Sequence, residues 1–378
     1  MSIHLTEEQA LIGQSAREFA KEYLDPIAVE LDHSGKYPAA VVKALADHDF
    51  LGLFLPSEFG GAEAGFVSLV EVIENLSRSS AAVASILINH SIAAYAIQRW
   101  GKADQKQAYL PALAAGKTLG AFAVFEHGPT PGVGTDALQA TQQPEGWVLR
   151  GTKAFVRNAG VADLYVVLAC TDPAAGGKAM AAFIIDAKAS GLTVGTPFET
   201  MGLKGCPVAD LVFDNVIVPA TAMLGGLTEG QAITMETLAV AAIAEAAQTV
   251  GIGQAAVEHA AAYAKTRVQF GRPVSTLQAI QTMLAETATD CHLARLGLHE
   301  AALLLEQGEP FQVEAAMVQQ FLARFGAKML VDTVQVEGGF GYSEFMPLPR
   351  LFRDIAGTTL LEAPADYPEK TIAAALLA

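Results

Sequence analysis

The apolar positions of this chain change period twice. From the N-terminus to about residue 115 they recur every three to four residues, the spacing of one helix face. Thr6 and Gln9 stand before the run ALIGQSAREFAKEYL, a Thr-x-x-Gln pair that predicts a capping box. SLVEVIENLSRSSAAVASILINHSIAAYAIQRW keeps the helical spacing, and GKADQKQAYLPALAAG predicts a short helix ended by Gly116. From about 117 to 220 the pattern becomes short runs rich in Val, Ile and Phe, bounded by Gly, Asp and Pro. GWVLRGTKAFV, ADLYVVLAC, KAMAAFIIDA and DLVFDNVIVP therefore predict antiparallel strands of a sheet or small barrel. Helical spacing returns after Gly230 and holds to about Lys265, and Thr228 with Gln231 and Ser275 with Gln278 predict two more capping boxes. A long helix from Val313 to Gln335, ended by Gly338-Gly339, and a short last one in PEKTIAAALLA complete a bundle. The expected architecture is mostly α with a central β domain. An N-terminal helical domain spans residues 1–116, a middle antiparallel β domain 117–225, and a C-terminal four-helix bundle 226–378.

Composition narrows the function. The 378 residues carry 40 acidic and 24 basic side chains, a net charge of −16, which repels nucleic acid and anionic membranes. Hydrophobic residues reach 52% and charged ones only 17%, so close-packed helices and a buried subunit interface are expected. Cys170, Cys206 and Cys291 are too few and too far apart for a disulfide framework or a zinc site, and no metal is expected. The opening MSIHLTEEQALIG does not read as a signal peptide, and the apolar run around His90 is too interrupted for a membrane span, so a cytoplasmic protein is expected. No G-x-G-x-x-G in a strand-to-helix setting, H-E-x-x-H, G-x-S-x-G or P-loop pattern is present.

Three clusters and one carboxylate carry candidate chemistry. In KTRVQFGRP, Arg267 and Arg272 bracket Gln269, Phe270 and Gly271; two guanidiniums at a helix end can hold phosphate, or can simply cap a surface helix. In QVEGGFGYSEF, three glycines in four positions offer backbone N–H groups to an anion, or make a plain helix-to-loop turn. Between Gly120 and Gly160, glycines and prolines separate strand-like segments that carry His127, Thr135, Phe155 and Arg157. Glu362 stands in the apolar run LLEAP, either a base in a dry pocket or a solvated helix cap.

Taken together and in order along nearly the whole chain, these features resemble the acyl-CoA dehydrogenase family. YAKTRVQFGRPVSTLQAIQ and QVEGGFGY with PLPRLFRD are the strongest signatures. WGKADQKQAYLPALAAGKTLGAFAV and MGLKGCPVADLVFDNVIVPATAMLG match as well, as does the place of Glu362, nine residues after Arg353. The resemblance implies FAD between the β domain and the bundle, with its adenosine end reaching a neighbouring subunit of a homotetramer or of a heterotetramer with a homologous chain. Arg267, Gln269 and Phe270 then match contacts to FAD phosphate or adenosine. Gln335, Gly338 and Gly339 match a backbone cradle supplied by the partner chain. Thr135 matches a serine that touches flavin and substrate, and His127 is a candidate substrate contact. The implied reaction is α,β-dehydrogenation of an acyl-CoA thioester: Glu362 takes the α-proton, the β-hydride passes to flavin N5, and electrons continue to an electron-transfer flavoprotein. Glu126 matches a family glutamate and is assigned structural support.

The departures from the family pattern gather around the flavin. Its Thr-Glu-Pro is Phe125-Glu126-His127 here, and its Trp-Ile-Thr-Asn is Phe155-Val156-Arg157-Asn158. Arg157 would favour a reduced, anionic flavin or would fill the space where flavin lies. The bundle arginine that supports CoA in many relatives is Ala242, and the family Glu-Gly-Thr is Glu362-Ala363-Pro364. The alternative expectation is therefore an FAD-poor, non-catalytic partner subunit of a heteromeric complex.

Overall fold

The computed structural model describes residues 5–128, 137–175, 179–359 and 366–377. Among the described residues the N-terminal part holds six α-helices: α1 (Glu7–Phe19), α2 (Ala28–Ser34), α3 (Ala39–Asp47), α4 (Gly65–Ser77), α5 (Ala81–Trp100) and α6 (Ala103–Ala114). The Thr6–Gln9 capping box forms as expected, with Thr6 Oγ1 accepting from Gln9 N at 3.2 Å and Gln9 Oε1 accepting from Thr6 N at 2.9 Å. α5 is buried all round from Ala81 to Ile97, the mark of a core helix. Its His90 is a satisfied core histidine. Nδ1 accepts from Gly120 N at 3.2 Å, which leaves Nε2–H to donate to Leu51 O at 3.2 Å. Burial lowers the pKa of this imidazole to about 4, so the ring is neutral.

The strands are β1 (Gly120–Ala123), β2 (Gln139–Gln143), β3 (Gly146–Arg157), β4 (Leu164–Cys170), β5 (Met180–Asp186), β6 (Leu192–Val194), β7 (Val208–Pro219) and β8 (Met223–Leu224). They form one sheet in the order β6-β7-β3-β2-β4-β5-β8, with β1 added beside β4. The expectation of an antiparallel domain needs one correction. β1 runs parallel to β4 from Gly120↔Leu164 to Ala123↔Val167, and β2 meets β4 in parallel at Gln139↔Cys170. A parallel pair needs a crossover rather than a hairpin, and period-two patterning alone carries no strand direction. Alternation does explain the packing of β4 and β5. Tyr165, Val167, Ala169, Phe183 and Ile185 point into the core of the β domain. Val166, Leu168, Ala182 and Ile184 point the other way and join the helical core. The sheet is thus welded to the helices through a shared pair of strands.

The C-terminal part contains α7 (Gly230–Thr266), the small ribbon β9 (Val268–Gln269) and β10 (Arg272–Pro273), α8 (Gln278–Gln307), α9 (Gln312–Glu337), α10 (Leu348–Thr359) and α11 (Tyr367–Leu377). Two expected capping boxes do not form. α7 begins after Glu229, whose Oε2 accepts instead from Gly226 N at 2.6 Å. α8 begins after Leu277, because Ser275 is held inside a 3₁₀ turn. α5 and α7 are long and apolar enough to cross a membrane by composition, but 94% and 89% of those stretches lie inside the protein.

α10 ties the three parts together. Arg353 holds Asp32 of α2 with two hydrogen bonds, at 2.7 and 2.5 Å, and also donates to Met201 O at 3.1 Å. Its neighbour Asp354 accepts from Leu203 N at 2.6 Å and is pushed up to about 6 by burial. Gly202 permits this approach, since a Cβ there would stand 2.2 Å from Arg353 O.

Candidate active site

Two separate places are built from the residues singled out in the sequence. The first is an open pocket of about 580 Å³ at the end of the bundle. At the end of α7, β9 and β10 pair Gln269 with Arg272 and leave Phe270 and Gly271 at the turn. Both turn residues have positive φ, +52° and +77°. Two consecutive left-handed residues suit the twist of a tight hairpin, though a bulky phenylalanine adopts them only at a cost. The turn presents the Phe270 ring with 87% of its surface exposed. The opposite wall is the end of α9. Gly338 has φ +62° and ψ −137°, a region open in practice only to glycine. A Cβ at Gly338 or Gly339 would meet nothing within 4 Å, so the loop is clear for a ligand to approach its backbone. The Arg267 guanidinium lies 5.6 Å from the Phe340 ring centroid. The two glycine and arginine clusters, about 70 residues apart in sequence, thus line one cavity of one chain.

That pocket also contains a carboxyl group that the motifs did not flag. Glu337 is 3% exposed, and neither side-chain oxygen has a hydrogen-bond partner among the described residues. Burial pushes its pKa up to about 7. Gln335 lies just outside the lining, where its carbonyl accepts from Gly338 N at 3.1 Å.

The second place is where the sheet meets the bundle. The pairing of β3 with β7 slips between Lys153 and Val156, and Phe155 sits inside the slip with φ +53°. A bulge of this kind re-aims the side chains that follow it. Phe155 is turned outward, 56% exposed and stacked on Phe198 at 4.8 Å. Its N–H donates to Asp210 Oδ1 at 3.1 Å, and His127 Nε2 meets Asp210 Oδ2 at 2.7 Å. Arg157 is turned inward instead. It is 8% exposed and donates from Nη1 to Glu245 Oε1 of α7 at 2.8 Å. Glu245 is itself 2% exposed, so a buried ion pair bridges the β domain and the bundle. Behind it, Lys153 is wholly buried, pairs with Glu126 and donates to Val124 O at 2.8 Å. Burial lowers the Lys153 pKa, with the Glu126 carboxylate opposing the shift. Glu126 thus takes the supporting position expected of it.

Thr135 and Glu362 lie outside the described residues. Of the remaining candidates, Arg267, Gln269, Phe270, Gly338 and Gly339 converge on the bundle-end pocket, while His127, Phe155 and Arg157 gather at the sheet face. Glu245, Asp210 and Lys153 went unflagged because each lies in an ordinary helical or strand pattern. In the sequence, a single acidic residue within the alanine-rich run LAVAAIAEAAQTVG is all that marks Glu245.

A mixed β domain between a helical domain and a helical bundle, with a glycine–arginine pocket at the bundle's end, defines a three-domain architecture. Family models for the acyl-CoA dehydrogenase N-terminal, middle and C-terminal domains match residues 6–117, 123–216 and 228–377. The chain is 36% identical over 374 residues to a 3-(aryl)acrylate reductase of Clostridium sporogenes, covering 98% of this chain and 99% of that one. The solved butyryl-CoA dehydrogenase of Megasphaera elsdenii superposes with a TM-score of 0.95 at 33% identity, covering all of both chains. A structure described as the FAD complex of PigA superposes at 0.93 with 26% identity, covering 100% of this chain and 99% of that one. The chain belongs to the acyl-CoA dehydrogenase family. It is an oxidoreductase of that type, and its cofactor is FAD.

Proposed function

We propose that this enzyme interconverts an acyl-CoA thioester and its α,β-unsaturated product, acting as a dehydrogenase with Glu362 as the base for the α-proton. The observation that carries the reading is the convergence of the Arg267–Phe270 turn and the Gly338-Gly339 loop on one pocket, within the family fold. Backbone N–H groups at the loop and the Arg267 guanidinium suit the phosphates of FAD, and the exposed Phe270 ring suits its adenine. The buried, unpartnered Glu337 suits a ribose hydroxyl or an exocyclic amine.

Glu245 and the end of α7 at Thr266 are 21 residues apart, ~32 Å at ~1.5 Å per residue, so the pocket beside Arg267 and the sheet–bundle contact lie well apart on one chain. The assembly this reading expects is a homotetramer or a heterotetramer with a homologous chain, in which the pocket of one subunit serves another.

When bound, FAD supplies the acceptor for the two electrons and the hydrogen that leave the β-carbon. The protein's part is to hold the thioester, exclude water and take one proton. Glu362 stands in the apolar sequence run Leu360, Leu361, Ala363 and Pro364, and a carboxylate kept from water is a stronger base than a solvated one. Arg157 holds positive charge where the sheet meets the bundle, paired with Glu245, and the Lys153–Glu126 pair fixes the strand that carries it. An electron-transfer flavoprotein is the natural onward acceptor, and the cytoplasm the expected setting.

The purified protein is expected to be yellow, and an acyl-CoA added anaerobically should bleach the flavin band. A colourless protein that gains flavin only with a co-expressed homologue would instead make this chain the FAD-poor partner subunit.

A further inference from the structure

A second large cavity, of about 600 Å³, lies where the N-terminal helices α1, α2 and α4 meet α7 and α10 of the bundle. It shares no lining residue with the pocket beside Arg267. Its walls carry four cations, Arg17, Lys21, Arg78 and Arg350, against two carboxylates, Asp25 and Glu258. In a chain of net charge −16, that local excess of positive charge runs against the whole.

Neutral groups fix most of these cations. Asn75 is buried, and its Oδ1 accepts from Arg17 Nε at 3.3 Å and from Nη2 at 3.2 Å. Its own amide donates to Glu71 O at 2.9 Å, which locks the arrangement. An amide oxygen thus holds the Arg17 guanidinium without cancelling its charge, and leaves N–H donors over. Arg350 donates to Ser79 O at 2.9 Å, and its carboxylate neighbour Asp354 stands 3.8 Å away. Arg78 is matched by Glu258, whereas Lys21 forms no ion pair among the described residues. Lys21 stands on a single π turn, Ala20–Leu24, closed by Asp25 N donating to Ala20 O at 2.9 Å. Such single turns are rare and recur at functional sites. His259 also lines the cavity. Partial burial lowers its pKa and the Arg350 charge lowers it further, so the ring is neutral at pH 7.

Guanidinium and ammonium groups with charge to spare bind oxyanions through short, charged hydrogen bonds. We propose that this cavity binds a compact, multiply charged oxyanion, a polyphosphate or a polycarboxylate, held by Arg17 and Lys21 on one wall and by Arg350 on another. Because those walls belong to the N-terminal helices and to the bundle, the bound anion ties the two parts together. The site lies apart from FAD and from the acyl-CoA reading, and stands or falls without them.

The test titrates FAD-loaded protein with inorganic pyrophosphate and with citrate by isothermal calorimetry, at constant ionic strength, with acetate as the singly charged control. At least one of the two polyanions should fill one site per chain, about tenfold or more tightly than acetate. In the double variant Arg17→Gln, Lys21→Gln that affinity should fall about tenfold or more, the value of a lost charged hydrogen bond, with a thermal melt confirming the fold. Lys21→Gln alone, at an exposed position, should show a smaller loss in the same direction, and decides the matter if the double variant does not fold. Preference for pyrophosphate assigns a phosphate ester as the ligand, and preference for citrate a polycarboxylate. Absence of saturable binding, equal binding of acetate, or an affinity unchanged in the variants overturns the inference. Displacement of bound flavin by pyrophosphate would place the anion in the Arg267 pocket and overturn it as well.

Discussion

The two places where the chain gathers its chemistry are built on opposite plans. The pocket at the bundle's end is open, framed by backbone and exposed rings, and drawn from two short contiguous motifs. The contact between sheet and bundle is closed, framed by buried charges, and drawn from residues scattered from Glu126 to Glu245. If the open pocket takes the phosphates of FAD, as proposed, main-chain donors and one arginine suffice to hold them. The sheet–bundle contact is instead specified by side chains, Arg157 and Glu245 among them.

Four substitutions sharpen that contrast, beginning with the largest effect. Lys153→Met leaves Glu126 as a buried charge without its ammonium, and should cost about 3–5 kcal/mol in urea unfolding. A loss below about 1 kcal/mol would mean that the pair is not closed off from water. Arg157→Met should lower stability by about 2–3 kcal/mol through the loss of its charged hydrogen bond to Glu245. It should also shift the flavin's reduction potential downward, since a cation stabilises the reduced anion. Stability lost without any shift in potential would make Arg157 a strut between domains and nothing more. Arg267→Ala should weaken FAD retention about tenfold while leaving the melting temperature of flavin-free protein within a few degrees. Unchanged flavin content and oligomer mass would remove Arg267 from the phosphate site.

The smallest expected effect depends on pH. Glu337 titrates about 7 in the folded chain against an ordinary value of 4.5. The folded state thus holds this proton more tightly than the unfolded chain does. The stability tied to the protonated form is complete below the ordinary value and is lost as pH rises through about 7. Glu337→Gln cannot lose that proton, so flavin-free variant and parent should melt alike at pH 4, with the variant melting higher at pH 8. A constant difference across that range would show that Glu337 is solvated.

The legibility of each region in the sequence follows from the same contrast. Helical and strand periods located α1, α4 to α9, α11 and strands β3, β4, β5 and β7, because burial of one face writes itself directly into residue order, but they did not single out α2, α3 or α10. The KTRVQFGRP and QVEGGFGY motifs were readable because each is continuous and includes glycines whose backbone angles few other residues adopt. Strand direction was not readable: β1 looks like any short apolar strand until it lies parallel to β4. Nor were the capping boxes at Thr228 and Ser275, where a competing glutamate contact and a 3₁₀ turn set the helix starts. The Arg157–Glu245 pair joins positions 88 residues apart, and no local pattern announces such a meeting. The bulge at Phe155, which turns one side chain outward and Arg157 inward, depends on pairing with β7.

The central claim is that the carboxylate of residue 362 removes the α-proton of a bound thioester while the flavin is reduced. Anaerobic stopped-flow reduction of the flavin by a short acyl-CoA, compared between the parent and Glu362→Gln at equal FAD content, tests it most directly. The account predicts thioester binding in both and a reduction rate about a thousandfold slower in the variant, within the range that one general base supplies. Equal rates of flavin bleaching in the two proteins would contradict it.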